Sequence, residues 1–378
     1  MRFKTIIPLV SLLAALLPPA QLFAGPPPSI RVLVMDSAPS VTIEGKGSAL
    51  KIASDTARSE ERLGALVRIV AGEKGLITGG RDRGNSISLT CSASRYRIGH
   101  RSFRGEIAVF WKEPGKLFVV NRVMLEDYLA GLINSEISSS WPKESIKAQA
   151  VAARTYAMNQ MEASRRASSQ RPYDITGTTL DQVYDGAHQE DFRSHDAVKE
   201  TRGQMLLRGG AIFPAYYHSC CGGRTERAAN VWAGEAGPPV IDDKWCARSP
   251  KLLWSWRVPI RGFLTALSAA GTNVRVLQTI ASTVLPDSPR NELVLLEDDD
   301  GMKTVRATEL RRIFGYKNIK STWFETEIKG SDVVFTGRGY GHGVGLCQWG
   351  AKAMAEAGHS YDEILKFYYP DSEIATLY

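Results

Sequence analysis

The stretch from Pro142 to Ala163 constrains this chain more than any other. Ala148, Ala150, Ala152, Ala153 and Ala157 fall within ten residues of one another, a density that favours helix and lets neighbouring elements approach closely. Pro142 suits a first helical position, and Glu144 suits the free amides of a first turn. The spacing therefore predicts a long helix from Pro142 to about Ala163, buried at the centre of the molecule.

The text on either side is different. Before it, Leu125, Leu129, Leu132, Ile133 and Glu136 recur at helical spacing, which predicts a helix over 126–136 that ends before Ser138-Ser139-Ser140. Further upstream, residues 30–120 read as short strands, including 30–34, 67–70, 86–89, 106–110 and 117–120, separated by Gly/Asp/Arg/Asn clusters. No Pro/Ser-rich linker follows them, so this β-rich region leads straight into a core over 121–378. Residues 259–321 carry less pattern and read as an inserted or peripheral α+β piece. A last helix is expected from about Gln348 to Glu356. The fold class is α+β: mixed helices and strands around a central Ala-rich helix, with a substrate groove.

Residues 1–24 have the anatomy of a secretory signal. Arg2 and Lys4 precede a short apolar run, Pro18-Pro19 breaks it, and Leu22-Phe23-Ala24 places a small residue at a cleavage position. Export to the periplasm or cell envelope is expected, with no bilayer span after cleavage. The net charge of +7 suits an acidic polymer and equally suits plain solubility. The basic residues are scattered, and a nucleic-acid partner is not expected. Five cysteines, an odd count, are too few for a disulfide-built scaffold.

Three blocks then stand out in order: VNRVMLEDYLAGLINSEISSSWPKESIKAQAVAARTYA, AYYHSCCGGRTE and GRGYGHGVGLCQWGA. Together they resemble the SpoIID/LytB family of stage II sporulation protein D and amidase enhancers, loosely from about Ile30 onward. The resemblance implies a lytic transglycosylase acting on peptidoglycan strands stripped of their stem peptides, with its acid/base glutamate at Glu136. The enhancer name implies an alternative, a non-catalytic glycan binder that stimulates a cell-wall N-acetylmuramoyl-L-alanine amidase. No cofactor is implied.

The chemistry of such a cleavage needs a proton for the leaving oxygen. Hydrolases usually recruit two carboxylates. A lytic transglycosylase manages with one, because the C6 hydroxyl of the muramic acid attacks C1 and yields a 1,6-anhydro product. Glu136 continues the apolar stripe of Leu129 and Ile133 and sits at a helix C-terminus, two effects that raise a carboxyl pKa. Glu126 and Glu144 read as structural helix-start charges. Lys147 and Arg154, seven residues apart on one face, are set either to meet the lactyl carboxylate or to be solvated. Gln149 is open in the same way. His218, Ser219, Gly222, Gly223 and Thr225 of the second block, and Tyr340, His342 and Gln348 of the third, are candidate sugar contacts. The Gly-rich third block lacks the Lys and hydroxyl of a phosphate loop.

Cys221 and Cys246 allow two readings. The exported context favours a disulfide between them. A metal site is the alternative, since other family members resemble a Cys/His cluster. This chain has Leu180 and Asp181 where those look like His and Cys, which leaves only His218, Cys221 and Cys246 as a weak set and makes zinc disfavoured. Cys91 and Cys347 read as small buried residues.

Overall fold

A computed structural model describes residues 25–55, 60–167, 171–232 and 234–378. The signal expected over 1–24 lies outside them. The architecture is α+β, as the sequence pattern requires. Two sheets form the N-terminal half, antiparallel throughout except where Ile175–Thr176 joins Ser29–Ala38 in parallel. One has seven strands, with Ser29–Ala38 between Ile175–Thr176 and Lys116–Met124, followed by Glu106–Glu113, Ser86–Thr90, Lys51–Ser54 and Glu61–Arg62. Its register pairs Ile30 with Val123, Val109 with Val119, and Val109 with Ile87. The other has six strands built around Ser40–Gly45 and Leu66–Ala71. Leu66–Ala71 alternates strictly between exposed and buried residues, the pattern of a sheet with one face on a core.

Strand Lys116–Met124 runs without a loop into helix α1 (Leu125–Glu136), whose end is closed by the Ile137 amide on the Ile133 carbonyl. After the serines comes α2 (Lys143–Arg166). Pro142 proves to be its cap rather than its first helical residue, and the helix runs three residues past Ala163. Its alanines explain its position. Ala150, Ala153 and Ala157 face a core shared with the two sheets and α1. Ala148, Val151 and Ala152 face a second core made by Phe213, Leu346, Ile364, Leu365 and Tyr368. A helix that packs on both sides needs small residues on both, so α2 is the shared wall of the two cores.

A third core gathers Trp254, Phe263, Val294, Leu310 and Phe335. Residues 259–321 are helix and strand, and Leu253–Pro259 and Asp332–Arg338, paired antiparallel, flank them on both sides. Among the described residues, no helix is long and apolar enough to cross a membrane.

One ion pair locks α1 to α2. Arg154 is fully buried, and its Nε and Nη2 reach Glu126 Oε1 and Oε2 at 2.8 and 2.9 Å. Its remaining N–H groups donate to the carbonyls of Gln204 and Val198. The guanidinium is thus spent inside the protein, and the sugar-binding role considered for Arg154 is corrected to a structural one. Truncation strands a charge in the interior. Arg154→Ala is expected to lose about 3–5 kcal/mol of unfolding free energy in urea titrations, as breaking a buried pair typically does.

Candidate active site

The first and last motif blocks meet because α1 ends where two short strands pair. Tyr217–His218 lies parallel to Leu346–Cys347, in register Tyr217 with Leu346 and His218 with Cys347. From this pair two side chains reach the end of α1, Tyr217 from one strand and Gln348 from just beyond the other. The third wall is the segment 181–184. Gln182 is held by Tyr128 Oη at 2.9 Å and by the Ala153 carbonyl at 3.1 Å, and the next amide, that of Val183, donates to Glu136 Oε1 at 2.6 Å. Gly131 of α1 permits this approach, since a Cβ there would sit 2.9 Å from the Gly186 carbonyl oxygen.

Glu136 is half-buried, and the protein packed around its carboxyl group strips away part of its water. Desolvation pushes its pKa up to about 7, against the Val183 amide, Tyr217 and Gln348, which favour the charged form. That opposition is weak at two of the three points. The Tyr217 hydroxyl lies near the carboxyl without an aligned partner among the described residues. The Gln348 amide also donates to Gln149 Oε1 at 3.4 Å, while Gln149 Nε2 has no partner. Buried polar atoms left open in this way mark a place for water or ligand.

Beside this group lies a cleft of about 280 Å³ lined by Tyr156, Gln160, Asp181, Tyr216, Tyr217, Trp232, Glu235 and His342 among others. Glu136 is not itself a lining residue; it joins the cleft through Tyr217 and the backbone that follows Asp181. Tyr216 and Trp232 stack with ring centroids 4.4 Å apart, and His342 stands 4.9 Å from Trp232. His218 Nδ1 faces the Val344 carbonyl at 3.1 Å, so that nitrogen carries the proton and Nε2 is left as a buried acceptor without a partner. Burial, with Arg290 nearby, lowers His218 to about 4. His342 accepts from the Val344 amide at Nδ1 and is pushed well below the usual histidine range, first by burial and then by His218. Both imidazoles are neutral at physiological pH.

The SpoIID model, described as stage II sporulation protein, matches residues 113–207, a range that includes α1, α2 and the Val183 segment. An uncharacterized protein of Brachyspira hyodysenteriae is 32% identical over 260 residues, 68% of each chain. The chain belongs to the SpoIID/LytB family. The amidase enhancer of Bacillus subtilis is 29% identical over 66% of this chain, which spans only 40% of that protein. Stage II sporulation protein D of the same organism is 28% identical, over 68% of this chain and 76% of its own length.

Within this SpoIID/LytB chain the candidate residues separate. Glu136, His218, His342 and Gln348 gather at one site, and Gln149 joins them. Lys147 does not; its ammonium pairs with Glu144 at 2.9 Å and lies over the Tyr361 ring. Gly222 and Gly223 line a different surface hollow with Arg224, Asp242 and Trp323. Thr225 is buried and accepts the Ile241 amide at 2.6 Å. Tyr340 exchanges backbone hydrogen bonds with Cys220, and the Ser219 carbonyl accepts the Trp349 amide. These contacts tie the five residues into the frame of the two glycine-rich blocks, away from the Glu136 cleft, and Lys147 is held by its ion pair.

The expected Cys221–Cys246 disulfide is also corrected. The two Sγ atoms stand 3.3 Å apart, beyond a disulfide bond of about 2.05 Å, and all five cysteines are free. Sequence reasoning missed Tyr217, although it neighbours His218 in the second block. It also missed Arg290, which no local pattern announces. This buried guanidinium from the 259–321 stretch donates to the Cys221 carbonyl at 2.8 Å and pairs with Glu226 at 3.7 Å. It passes over Gly343, where any Cβ would strike it. Arg290 thereby clamps the second block to the third.

Because the Glu136 carboxyl titrates near 7 in the fold, against an ordinary value of 4.5, its stabilising contribution is complete below about pH 4.5 and lost as pH rises through 7. A single group with that shift is worth about 3 kcal/mol. Glu136→Gln removes the titration, so denaturant melts should find it more stable than the parent at pH 8 by about 2–3 kcal/mol, with the gap closing at acid pH.

Proposed function

We propose that this SpoIID/LytB chain is a lytic transglycosylase of the cell envelope, cleaving the MurNAc–GlcNAc bond of peptidoglycan strands stripped of peptide. The observation that carries this reading is a desolvated carboxyl, poised near neutrality, beside an aromatic cleft. A group with a pKa of about 7 is half protonated at the pH where it works, the condition for giving a proton in one step and taking one in the next. Glu136 donates to the glycosidic oxygen as the C1–O bond breaks. The C6 hydroxyl of the same muramic acid then bonds to C1, and the carboxylate takes its proton. The products are a free GlcNAc 4-hydroxyl and a 1,6-anhydro-MurNAc end, with no water consumed and Glu136 restored. Neutral His218 and His342 suit uncharged sugar hydroxyls better than phosphates, and the Tyr216–Trp232 stack offers an apolar face for a pyranose ring.

The amidase-enhancer name borne by a relative supports a second reading, a glycan-binding partner of a cell-wall amidase. Mass spectrometry of digests of peptide-free and peptide-bearing glycans separates the two. The proposal predicts anhydro-MurNAc ends from peptide-free glycan, a loss of at least about 100-fold in Glu136→Gln, and a rate that declines above pH 7. Reducing ends without anhydro product indicate a hydrolase. Full amidase stimulation by Glu136→Gln, with no cleavage by the parent chain, indicates the enhancer.

A further inference from the structure

Directly behind the paired strands, four donor atoms converge from three distant parts of the chain. Cys221, Asp243, Cys246 and Cys347 each offer one ligand atom, all within 4.8 Å of one another, and all four residues are completely buried. Zinc–sulfur bonds of about 2.3 Å at tetrahedral angles set sulfurs about 3.8 Å apart, so a single ion fits among these donors with side-chain adjustments alone. Backbone amides point at two of the three sulfurs. The Gly223 amide donates to Cys221 Sγ at 3.3 Å, and the Cys221 and Gly350 amides donate to Cys347 Sγ at 3.3 and 3.4 Å. Cys347 caps the helix Gln348–Glu356, whose N-terminal dipole favours a negative sulfur. Asp243 is oriented in the manner of an outer-supported ligand, with Oδ1 taking the Trp245 and Cys246 amides and Oδ2 the Tyr368 hydroxyl at 2.9 Å. Gly350 keeps this corner open, since a Cβ there would collide with Asp243 and Tyr368.

We infer that Cys221, Cys246, Cys347 and Asp243 hold one divalent ion of the zinc class as a closed structural site. Three soft sulfurs and one carboxylate, buried and four in number, match such a site and leave no open position for catalysis. The set differs from the weak trio considered from sequence: His218 stays outside it, and Cys347 and Asp243 complete it. The ion would fasten the His218 block, the 245–248 turn and the helix that starts at Gln348, and so fix the side chain beside Glu136. This inference does not depend on the glycan-cleavage reading, and its test does not use activity.

The full chain, purified under reducing conditions, is expected to carry about one zinc per molecule by elemental mass spectrometry. Cobalt substitution should give the near-ultraviolet thiolate charge-transfer band and the visible bands of a tetrahedral ion. A chelator should lower the melting temperature and expose three further thiols to alkylation. Cys221→Ser and Cys347→Ser should lose the metal, and Cys91→Ser should keep it. Should the first two variants not fold, the cobalt spectrum and alkylation count of the unmodified chain decide alone. Metal-free protein with five alkylatable thiols, or with Cys221 and Cys246 linked in a peptide map, overturns the proposal.

Discussion

Everything at this site depends on a two-residue parallel pairing. Tyr217–His218 against Leu346–Cys347 is too short to be a sheet in its own right, yet it sets two motifs, more than a hundred residues apart, side by side at the end of α1. One partner supplies Tyr217 and the other leads into Gln348, and between them Glu136 loses part of its water. So small a pairing needs support. It comes from Arg290, which clamps the Cys221 carbonyl and Glu226 across Gly343, and from the cluster of sulfurs behind the strands. The stretch 259–321 thus has a mechanical part in the site through one buried side chain.

The desolvation of Glu136 follows from how α1 and α2 are packed. The Arg154–Glu126 pair fixes the helices at one end, and α2 lets cores close on both of its faces because its residues are small. The 181–184 segment is then pressed onto the last turn of α1, where Gly131 yields room. A carboxyl at that point has one strong donor, the Val183 amide, and otherwise loses water without full replacement. Its raised pKa is the result of incomplete compensation.

Much of this was legible in the sequence, for local reasons. Helix α1, helix α2 and the last motif helix declare themselves by apolar spacing and alanine content, whereas Glu136 was singled out through the family resemblance, with its place at the end of an apolar stripe in support. What was not legible is the choice of partners. Arg154 and Lys147 share a helix face, but only the fold shows Glu126 and Glu144 waiting for them. Cys246 and Cys347 are separated by a whole α+β unit, so nothing in their spacing tells that they converge with Asp243. The glycine pair 222–223, a candidate sugar contact from the sequence, lets the backbone turn with positive φ beside Trp323.

The central claim is that a half-dehydrated carboxyl at the end of α1 titrates near neutrality. Carbon-13 NMR of side-chain-labelled glutamate, with Glu136 assigned by its loss in Glu136→Gln, measures this directly. The account predicts a midpoint near 7 for that resonance. A midpoint at the ordinary value of 4.5 would mean that water reaches the group freely, and the acid/base role would fall with it.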